Sequence, residues 1–221
     1  MSIIERIERD YEIILASSSP RRREIVTELL GFKNISIIKP SFEENLDKQL
    51  YKKDPIKYVV DTCKGKSDSI IQELLTSSKY NTIKKPILVI CADTVVIDSE
   101  NNIYEKPIIK EVQKLNLIKF RDDLQPLTAA TAVNIICWAG KLDYSITPFH
   151  EVTKIHFEKS MPEELIQAYV DSEDGLQVAG GFKIQGLSAT LISGIEGDYY
   201  NVVGLPASKT LIHLLRIAQP N

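Results

Sequence analysis

A run of six consecutive apolar residues, 87–92, sets the framework for this chain. A short apolar stretch without alternation is typical of a strand that is buried on both faces of a sheet. After Asp93 and Thr94 the apolar pattern resumes at residues 95–97. The sequence therefore predicts a central buried strand that is interrupted by a single carboxylate.

Strand and helix patterns alternate along the rest of the chain. Further strands are predicted at residues 11–16, 35–39, 128–138 and 145–157, and the last two are expected to pair antiparallel. Helices are predicted at residues 20–30, 55–74, 107–120, 163–170 and 205–217. This alternation favours an α/β architecture with a mixed sheet.

Composition limits the classes of protein to which the chain can belong. Hydrophobic residues make up 43% and charged residues 26% of the 221 positions, as in ordinary soluble proteins. No apolar run approaches the roughly 18 residues that span a bilayer, and the charged N-terminus lacks the apolar stretch of a secretory signal. The net charge of −3 gives no global field that would attract nucleic acid, so nucleic-acid binding is disfavoured.

The number and spacing of the cysteines indicate the redox state of the compartment in which the protein works. Cys63, Cys91 and Cys137 are odd in number, far apart and free of CxxC spacing. This pattern disfavours a disulfide framework or a zinc site and indicates a reducing compartment, here the cytoplasm.

The most informative motif, LASSSPRRR, covers residues 15–23. Ser19 is a suitable N-cap and Pro20 suits the first position of a helix. A strand that ends in serines before the positive end of a helix forms an anion site, and arginines add donors that match phosphate. The alternative is an ordinary capped helix with solvated arginines.

A second group of charged residues follows along the chain. Asp93 is costly to bury unless it is paired, metal-bound or hydrogen-bonded, and it is a candidate Mg²⁺ ligand or general base. Its alternative is a structural role in a turn or an ion pair. Lys66 borders the apolar stripe of its helix, which a snorkelling stem explains equally well. Lys106 precedes a proline and Glu44 lies in a loop, and by themselves such residues are usually just solvated.

Two segments near the C-terminus are rich in glycine. Residues 179–186 and 197–206 allow the backbone to approach a ligand closely or to adopt unusual φ and ψ values. In the first segment, Gln185 carries both a donor and an acceptor, so it is suited to binding the edge of a base. Ordinary loops are the alternative for both segments.

Taken together and in this order, these segments resemble the Maf family of nucleotide pyrophosphatases. The motifs LASSSPRR, ADTVV, EKP, IQG and GDYYNVVGLP carry the resemblance, which extends from Ile14 to about Leu214. It implies one α/β domain over residues 1–221, with an ordered core at about 11–217. The implied fold is elongated and two-lobed, with a curved mixed sheet around a central cleft, as in inosine triphosphate pyrophosphatases and Ham1-like proteins.

The resemblance also implies an activity and a set of roles. The activity is hydrolysis of nucleoside triphosphates to monophosphate and pyrophosphate, with Mg²⁺ or Mn²⁺ held by Asp93 and Glu44. The residues implied in catalysis are Asp93, as proton acceptor, with Glu44, Lys66 and Lys106. Those implied in substrate binding are Ser17, Ser19, Arg21, Arg22, Thr94 and Gln185.

Arg21 and Gln185 separate two subfamilies within this resemblance. The group that acts on 7-methyl-GTP usually has tryptophan and glutamate at these positions, so this chain is similar to the group that acts on dTTP, UTP and modified pyrimidine nucleotides. The alternatives are a pyrophosphatase for 7-methyl-GTP or another non-standard nucleotide, and a non-catalytic nucleotide-binding regulator of cell division. Apolar strands such as residues 128–138 are expected either at an edge, where they would pair in a homodimer, or in the interior.

Two departures from the family pattern lie outside the polar cluster. A Gly-x-x-His segment is replaced by residues 119–126, which contain no histidine, and an Asp-Lys pair is replaced by Gln177 and Val178. These changes bear on rate, substrate range and the local shape of the cleft.

Overall fold

The computed structural model describes residues 2–80, 84–141 and 143–219 of the chain. This part contains a mixed sheet whose strands are β1 (Glu12–Ala16), β2 (Ile35–Ile37), β3 (Ile87–Ile97), β4 (Ile103–Tyr104), β5 (Leu127–Gly140), β6 (Asp143–Phe157) and β7 (Ile192–Glu196). The strand order is β2-β1-β3-β5-β6-β7, and the short β4 pairs with β3. Strand β1 is parallel to β2 and β3 whereas all other pairs are antiparallel, which confirms the predicted mixed α/β sheet.

Helices pack on both faces of the sheet. They are α1 (Ile3–Asp10), α2 (Pro20–Glu24), α3 (Pro55–Thr76), α4 (Lys110–Asp122), α5 (Glu163–Asp171), α6 (Tyr199–Val203) and α7 (Ala207–Ile217). Helix α2 continues as a π-helical turn, Ile25–Leu29. Its predicted cap is confirmed, since the Ser19 hydroxyl accepts from the backbone N–H of Arg22. No helix of the described ranges is both long and apolar enough to cross a membrane.

Some boundaries differ from the predicted ones, and prolines explain the differences. Helix α4 begins at Lys110 rather than 107, because a tight turn after Pro107 is closed by a hydrogen bond from Ile109 N to Pro107 O. Helix α7 begins after Pro206 rather than at 205. A proline fits the first turn of a helix or the position before it, but it cannot donate to the preceding turn.

Strand β5 lies in the interior of the sheet, between β3 and β6. Its residues from Thr128 to Trp138 pair on both sides. An edge position for residues 128–138 is therefore wrong, and this strand cannot pair with a second copy of the chain.

The sheet has a gap beside the centre of β3. Strand β1 pairs with β3 only as far as Ala16, which lies opposite Cys91, and β4 begins to pair with β3 at Val96. Within the described sheet, residues 92–95 therefore have a neighbour on one side only. Asp93 and Thr94 lie in this gap, so their side chains meet an opening rather than a continuous sheet.

The apolar core is divided at the level of this gap. On one face of the sheet, Leu88 and Ile90 belong to one buried cluster and Val96 belongs to another, with Thr94 between them. Because side chains on a strand alternate between faces, Asp93 points toward the opposite face, against α3. There it separates the cluster around Cys91 from the cluster around Val95. Polar residues, Thr94 on one face and Asp93 on the other, therefore interrupt the apolar core on both faces of the sheet. The cleft lies beside this polar belt.

Candidate active site

A cleft of about 630 Å³ opens at the gap in the sheet. The predicted site residues that line it are Ser17, Ser19, Arg21, Arg22, Glu44, Lys66, Asp93, Thr94 and Lys106. Only Gln185 of the predicted set does not line it. Residues that are far apart in the sequence thus meet around a single opening.

The turn formed by residues 17–19, here called the serine turn, forms one wall of the cleft. The Ser17 hydroxyl accepts a hydrogen bond from Ser19 N at 3.2 Å, and the Ser19 hydroxyl accepts one from Arg22 N at 3.4 Å. These bonds turn the chain sharply from the end of β1 into α2. The first N–H groups of α2 therefore lie beside the cleft, where the positive end of a helix favours an anion.

Arg22 ties the serine turn to two other elements. Its Nε donates to Gly204 O at 2.8 Å, its Nη2 to Thr94 Oγ1 at 2.9 Å and its Nη1 to Ser17 Oγ at 3.3 Å. Gly204 ends α6 with φ of +125°, a conformation that glycine adopts without strain. Arg22 thus holds the walls of the cleft together and leaves only part of its guanidinium for a ligand.

Arg21 is held differently from its neighbour. Its Nη1 is buried and has no hydrogen-bond partner in the described part of the chain. Burial, together with the charge of Arg22, lowers the pKa of Arg21 from its ordinary value. A buried donor without a partner beside a cleft is suited to an incoming anion.

Lys66 holds the catalytic candidates together. Its Nζ lies 2.6 Å from Asp93 Oδ1 and 2.8 Å from Glu44 Oε1. Lys66 and Asp93 are buried, with 8% and 5% of their surfaces exposed, whereas the Glu44 side chain is 42% exposed. Helix α3 places Lys66 here because Cys63 and Ile70, on neighbouring turns, are fully buried against the sheet.

Burial and neighbouring charges shift the pKa values of Asp93, Glu44 and Lys66. Burial raises the pKa of Asp93, against the opposing effects of Lys66 and Arg22. Burial also acts to raise the pKa of Glu44, but the hydrogen bond with Lys66 and the charges of Lys66, Lys106 and Arg22 together bring it below its ordinary value. Desolvation acts to lower the pKa of Lys66, but the charge of Asp93 and the hydrogen bonds to Asp93 and Glu44 together raise it above its ordinary value. A raised pKa favours a carboxylate that takes up a proton, which is the property of a general base.

The carboxylates of Asp93 and Glu44 fit a divalent metal cation that also binds the phosphates of a ligand. Within the described ranges, no three His, Cys, Asp or Glu side chains converge as a metal site. Asp93 and Glu44 each bond Lys66 through one carboxylate oxygen, and their second oxygens make no hydrogen bond among the described residues. Mg²⁺ is often held by one or two carboxylates, with substrate phosphates and water completing its ligands. These two residues fit that arrangement.

The motif GDYYNVVGLP supports the cleft from below. Asp198 caps α6, and the fully buried Asn201 donates from Nδ2 to Ala129 O at 3.1 Å and to Thr153 Oγ1 at 3.0 Å. The hydroxyl of Thr131 donates to Asn201 O and also lies 3.0 Å from the hydroxyl of Thr94. These hydrogen bonds connect Asn201 to Arg22 through Thr131 and Thr94.

Several cleft residues carried no clear signal in the sequence. Lys39, Glu105, Asp174 and Lys183 all line the opening. Lys39 directly precedes Pro40, Glu105 begins the EKP motif and Lys183 lies within the glycine-rich segment, but solvated charges often have such neighbours. Gln177 and Val178, which replace the Asp-Lys pair of the family, also line the cleft, so this departure changes its wall directly.

Gln185 lies away from the lining of the cleft. Its Oε1 is buried without a hydrogen-bond partner among the described residues. Gly186, which follows it, has φ of +70°. Its interaction with a base stays a prediction.

The fold and the cleft together define a class of α/β protein in which cations and a buried carboxylate surround a site for a polyanion. Comparison with known proteins gives the family: the chain belongs to the Maf family, since the family model described as Maf-like protein matches residues 12–217.

Curated relatives are similar over most of the chain. A Saccharomyces cerevisiae protein named dTTP/UTP pyrophosphatase is 51% identical, and the match covers 90% of this chain and 88% of that protein. A Schizosaccharomyces pombe protein of the same name is 36% identical, covering 91% and 82%. Among solved structures, a HAM1 protein from Coxiella burnetii aligns over 94% of this chain and 99% of its own, with 14% identity and a TM-score of 0.43.

Proposed function

We propose that this protein hydrolyses the bond between the α- and β-phosphates of a nucleoside triphosphate and releases pyrophosphate, with dTTP and UTP as its substrates. One observation carries the proposal: the buried carboxylate of Asp93 and the cations of the serine turn face the same cleft. The substrate assignment is supported by the name dTTP/UTP pyrophosphatase, which the 51% identical relative bears.

In the proposed reaction, water attacks the α-phosphorus and pyrophosphate leaves. Asp93 accepts the proton of the attacking water, and Lys66 holds the carboxylate in place through Oδ1. Arg21, Lys106 and the N–H groups of the serine turn bind the phosphate oxygens, where the developing negative charge needs stabilisation. Arg22, Ser17 and Ser19 keep this surface in position.

A divalent cation fits this site through Asp93 and Glu44. Mg²⁺ or Mn²⁺ would neutralise phosphate oxygens and polarise the phosphorus centre. The protein contributes the two carboxylates, and Lys66 keeps them close together.

We assign the choice of base to Arg21, Thr94 and Gln185. Arg21 and Thr94 line the cleft, and Thr94 is fixed by its bonds to Arg22 and Thr131. Neither tryptophan nor glutamate occupies the two positions at which the 7-methyl-GTP subfamily has them, which favours pyrimidine nucleotides.

A pyrophosphate-release panel tests the activity and the substrate together. The purified protein is assayed with dTTP, UTP, 5-methyl-UTP, 7-methyl-GTP and inosine triphosphate, with Mg²⁺, with Mn²⁺ and with a chelator. We expect release from dTTP and UTP that the chelator abolishes. Preference for 7-methyl-GTP would reject the pyrimidine assignment, and inactivity with every nucleotide, with binding retained, would favour the non-catalytic regulator.

Asp93→Asn tests the proposed base directly. The amide keeps the size of the side chain but cannot accept the proton, so we expect kcat to fall by about 10²–10⁴-fold. Thermal unfolding and nucleotide binding, measured by calorimetry, should show a folded protein that still binds UTP. Turnover within a few-fold of the unaltered protein would remove Asp93 from this role.

We propose a cytoplasmic setting without nucleic acid as a partner. Cys63 and Cys91 are buried free thiols, as expected in a reducing compartment, and the net charge is negative.

A homodimer stays a prediction, which light scattering tests. Residues 143–152 of β6 pair only with β5 in the described sheet and are a free edge at which two copies would meet.

A further inference from the structure

Glu105 precedes Lys106 and is bound through both of its carboxylate oxygens. Oε1 accepts a hydrogen bond from the hydroxyl of Tyr58 at 2.8 Å, and Oε2 lies 2.6 Å from Nζ of Lys48. Its backbone carbonyl accepts from Gly180 N at 3.1 Å. The side chain also lines the cleft, yet neither oxygen is free of a protein partner.

The partners of Glu105 belong to segments that each carry a residue of the site. Tyr58 is fully buried on α3, the helix that also carries Lys66. Lys48 begins a short 3-10 helix that follows the loop of Glu44. Glu105 therefore connects the segments of Glu44, Lys66 and Lys106 through one carboxylate.

The two bonds of this carboxylate differ in exposure. The Lys48 and Glu105 side chains are 39% and 29% exposed, so water and salt weaken their attraction. The Tyr58 hydroxyl belongs to a buried residue that also packs edge-on against Tyr51, with ring centroids 5.3 Å apart. The tyrosine bond is therefore the stronger constraint on the position of Glu105.

We propose that Glu105 is a positioning residue: its carboxylate, bound to Tyr58 and Lys48, fixes the segment that carries Lys106 at the wall of the cleft. This inference rests on the proposed pyrophosphatase function. Glu105 acts on the phosphates only through Lys106, because its own charge would repel them and its oxygens are occupied.

The test is a comparison of kcat and KM for Glu105→Gln, Tyr58→Phe and Lys48→Met with UTP. If Glu105 positions Lys106, Glu105→Gln should lower kcat about tenfold, the factor that corresponds to one mispositioned charge contact, while KM changes less than about twofold. Tyr58→Phe should lower kcat by several-fold and Lys48→Met by less. In the background of Glu105→Gln, Tyr58→Phe should slow the reaction less than it slows the unaltered protein, because both changes act on the same bond and the uncharged amide oxygen is already a weaker acceptor.

Glu111→Gln is the matched control, since it removes the same charge from an exposed position on α4, six residues away. It should leave kcat, KM and the melting temperature unchanged. Nucleotide binding by calorimetry and thermal unfolding accompany every variant, so that a misfolded variant is recognised.

Two results would overturn the proposal. The first is a change of KM alone in Glu105→Gln, which would mean that the residue affects substrate binding and not the placement of Lys106 in the transition state. The second is unchanged kinetics in both Glu105→Gln and Tyr58→Phe. An inactive unaltered protein would instead reject the pyrophosphatase function, so the two failures are distinguishable.

Discussion

Lys66 combines a structural role with a proposed catalytic one. It is buried between two carboxylates, Asp93 and Glu44, which would repel each other without it. Removing one partner of a buried ion pair leaves the remaining charge without compensation, and this is costlier than losing the attraction alone. The position of Asp93 in a strand is thus tolerated because a helix supplies its counter-ion.

Lys66→Met should therefore destabilise the protein strongly. We expect the free energy of unfolding in urea to fall by about 3–5 kcal/mol, since the apolar chain cannot compensate the buried Asp93. Lys64→Met is the control: Lys64 is exposed and pairs with Asp68 one turn along the same helix, so its loss should cost no more than about 0.5 kcal/mol. Equal costs for the two variants would contradict the buried pairing of Lys66.

At the scale of elements, the connection between β4 and α4 holds a strained residue beside the cleft. Ile108 has φ of +67°, which is rare for a β-branched side chain, and it lies within a turn closed by Ile109 N and Pro107 O. Its own N–H donates to Leu176 O, and its side chain is 57% exposed. Because Lys106 lies two residues earlier, this strain is located where the backbone presents a cation to the cleft.

Ile108→Gly should stabilise the fold and slow the reaction. Glycine relieves the strain of positive φ, worth about 1–2 kcal/mol, and loses part of this gain to its greater freedom in the unfolded state. We expect a net gain of about 0.5–1 kcal/mol in chemical denaturation, with a several-fold lower kcat because the segment of Lys106 becomes more mobile.

Ile109→Gly is the control for this change. Ile109 is also exposed, at 52%, but its φ of −121° is ordinary, so glycine has no strain to relieve there and should not stabilise the protein. A stability gain of the same size in both variants would show that the φ of Ile108 is not its cause.

At the scale of the whole molecule, a polar belt divides the core into separate apolar clusters. On the face of Thr94, this belt is held by Asn201, which bonds β5 through Ala129 O and β6 through Thr153 Oγ1. A cleft needs polar walls, but buried polar groups must be bonded to one another to be tolerated. Asn201 supplies two of these bonds through Nδ2, while its own Oδ1 is buried without a partner among the described residues.

Asn201→Ala should lower the free energy of unfolding by about 2–3 kcal/mol, because it leaves buried partners unsatisfied and removes side-chain volume. Asn116→Ala, at a partly exposed position on α4, should change it by less than about 0.5 kcal/mol. Denaturant unfolding measures both values. A cost below about 1 kcal/mol for Asn201→Ala would show that the belt is held by other groups.

Much of this molecule follows from the sequence alone. The buried strand β3, the cap and proline that start α2, and the carboxylate inside an apolar run all come from local rules of periodicity and hydrogen bonding, which act over a few residues. Nine of the ten predicted site residues line the cleft, and they come from motifs whose order resembles one family. Roles within that set stay predictions.

Only the tertiary structure decided which side chains meet. Lys66 bonds Asp93 across 27 positions, Glu105 reaches Tyr58 across 47, and Arg22 reaches Gly204 across 182. These contacts depend on the register of β1 and β4 against β3 and on the packing of α3, which no local pattern encodes. The same register opens the gap at Asp93. The tertiary structure also leaves Gln185 outside the lining of the cleft, which its motif did not predict.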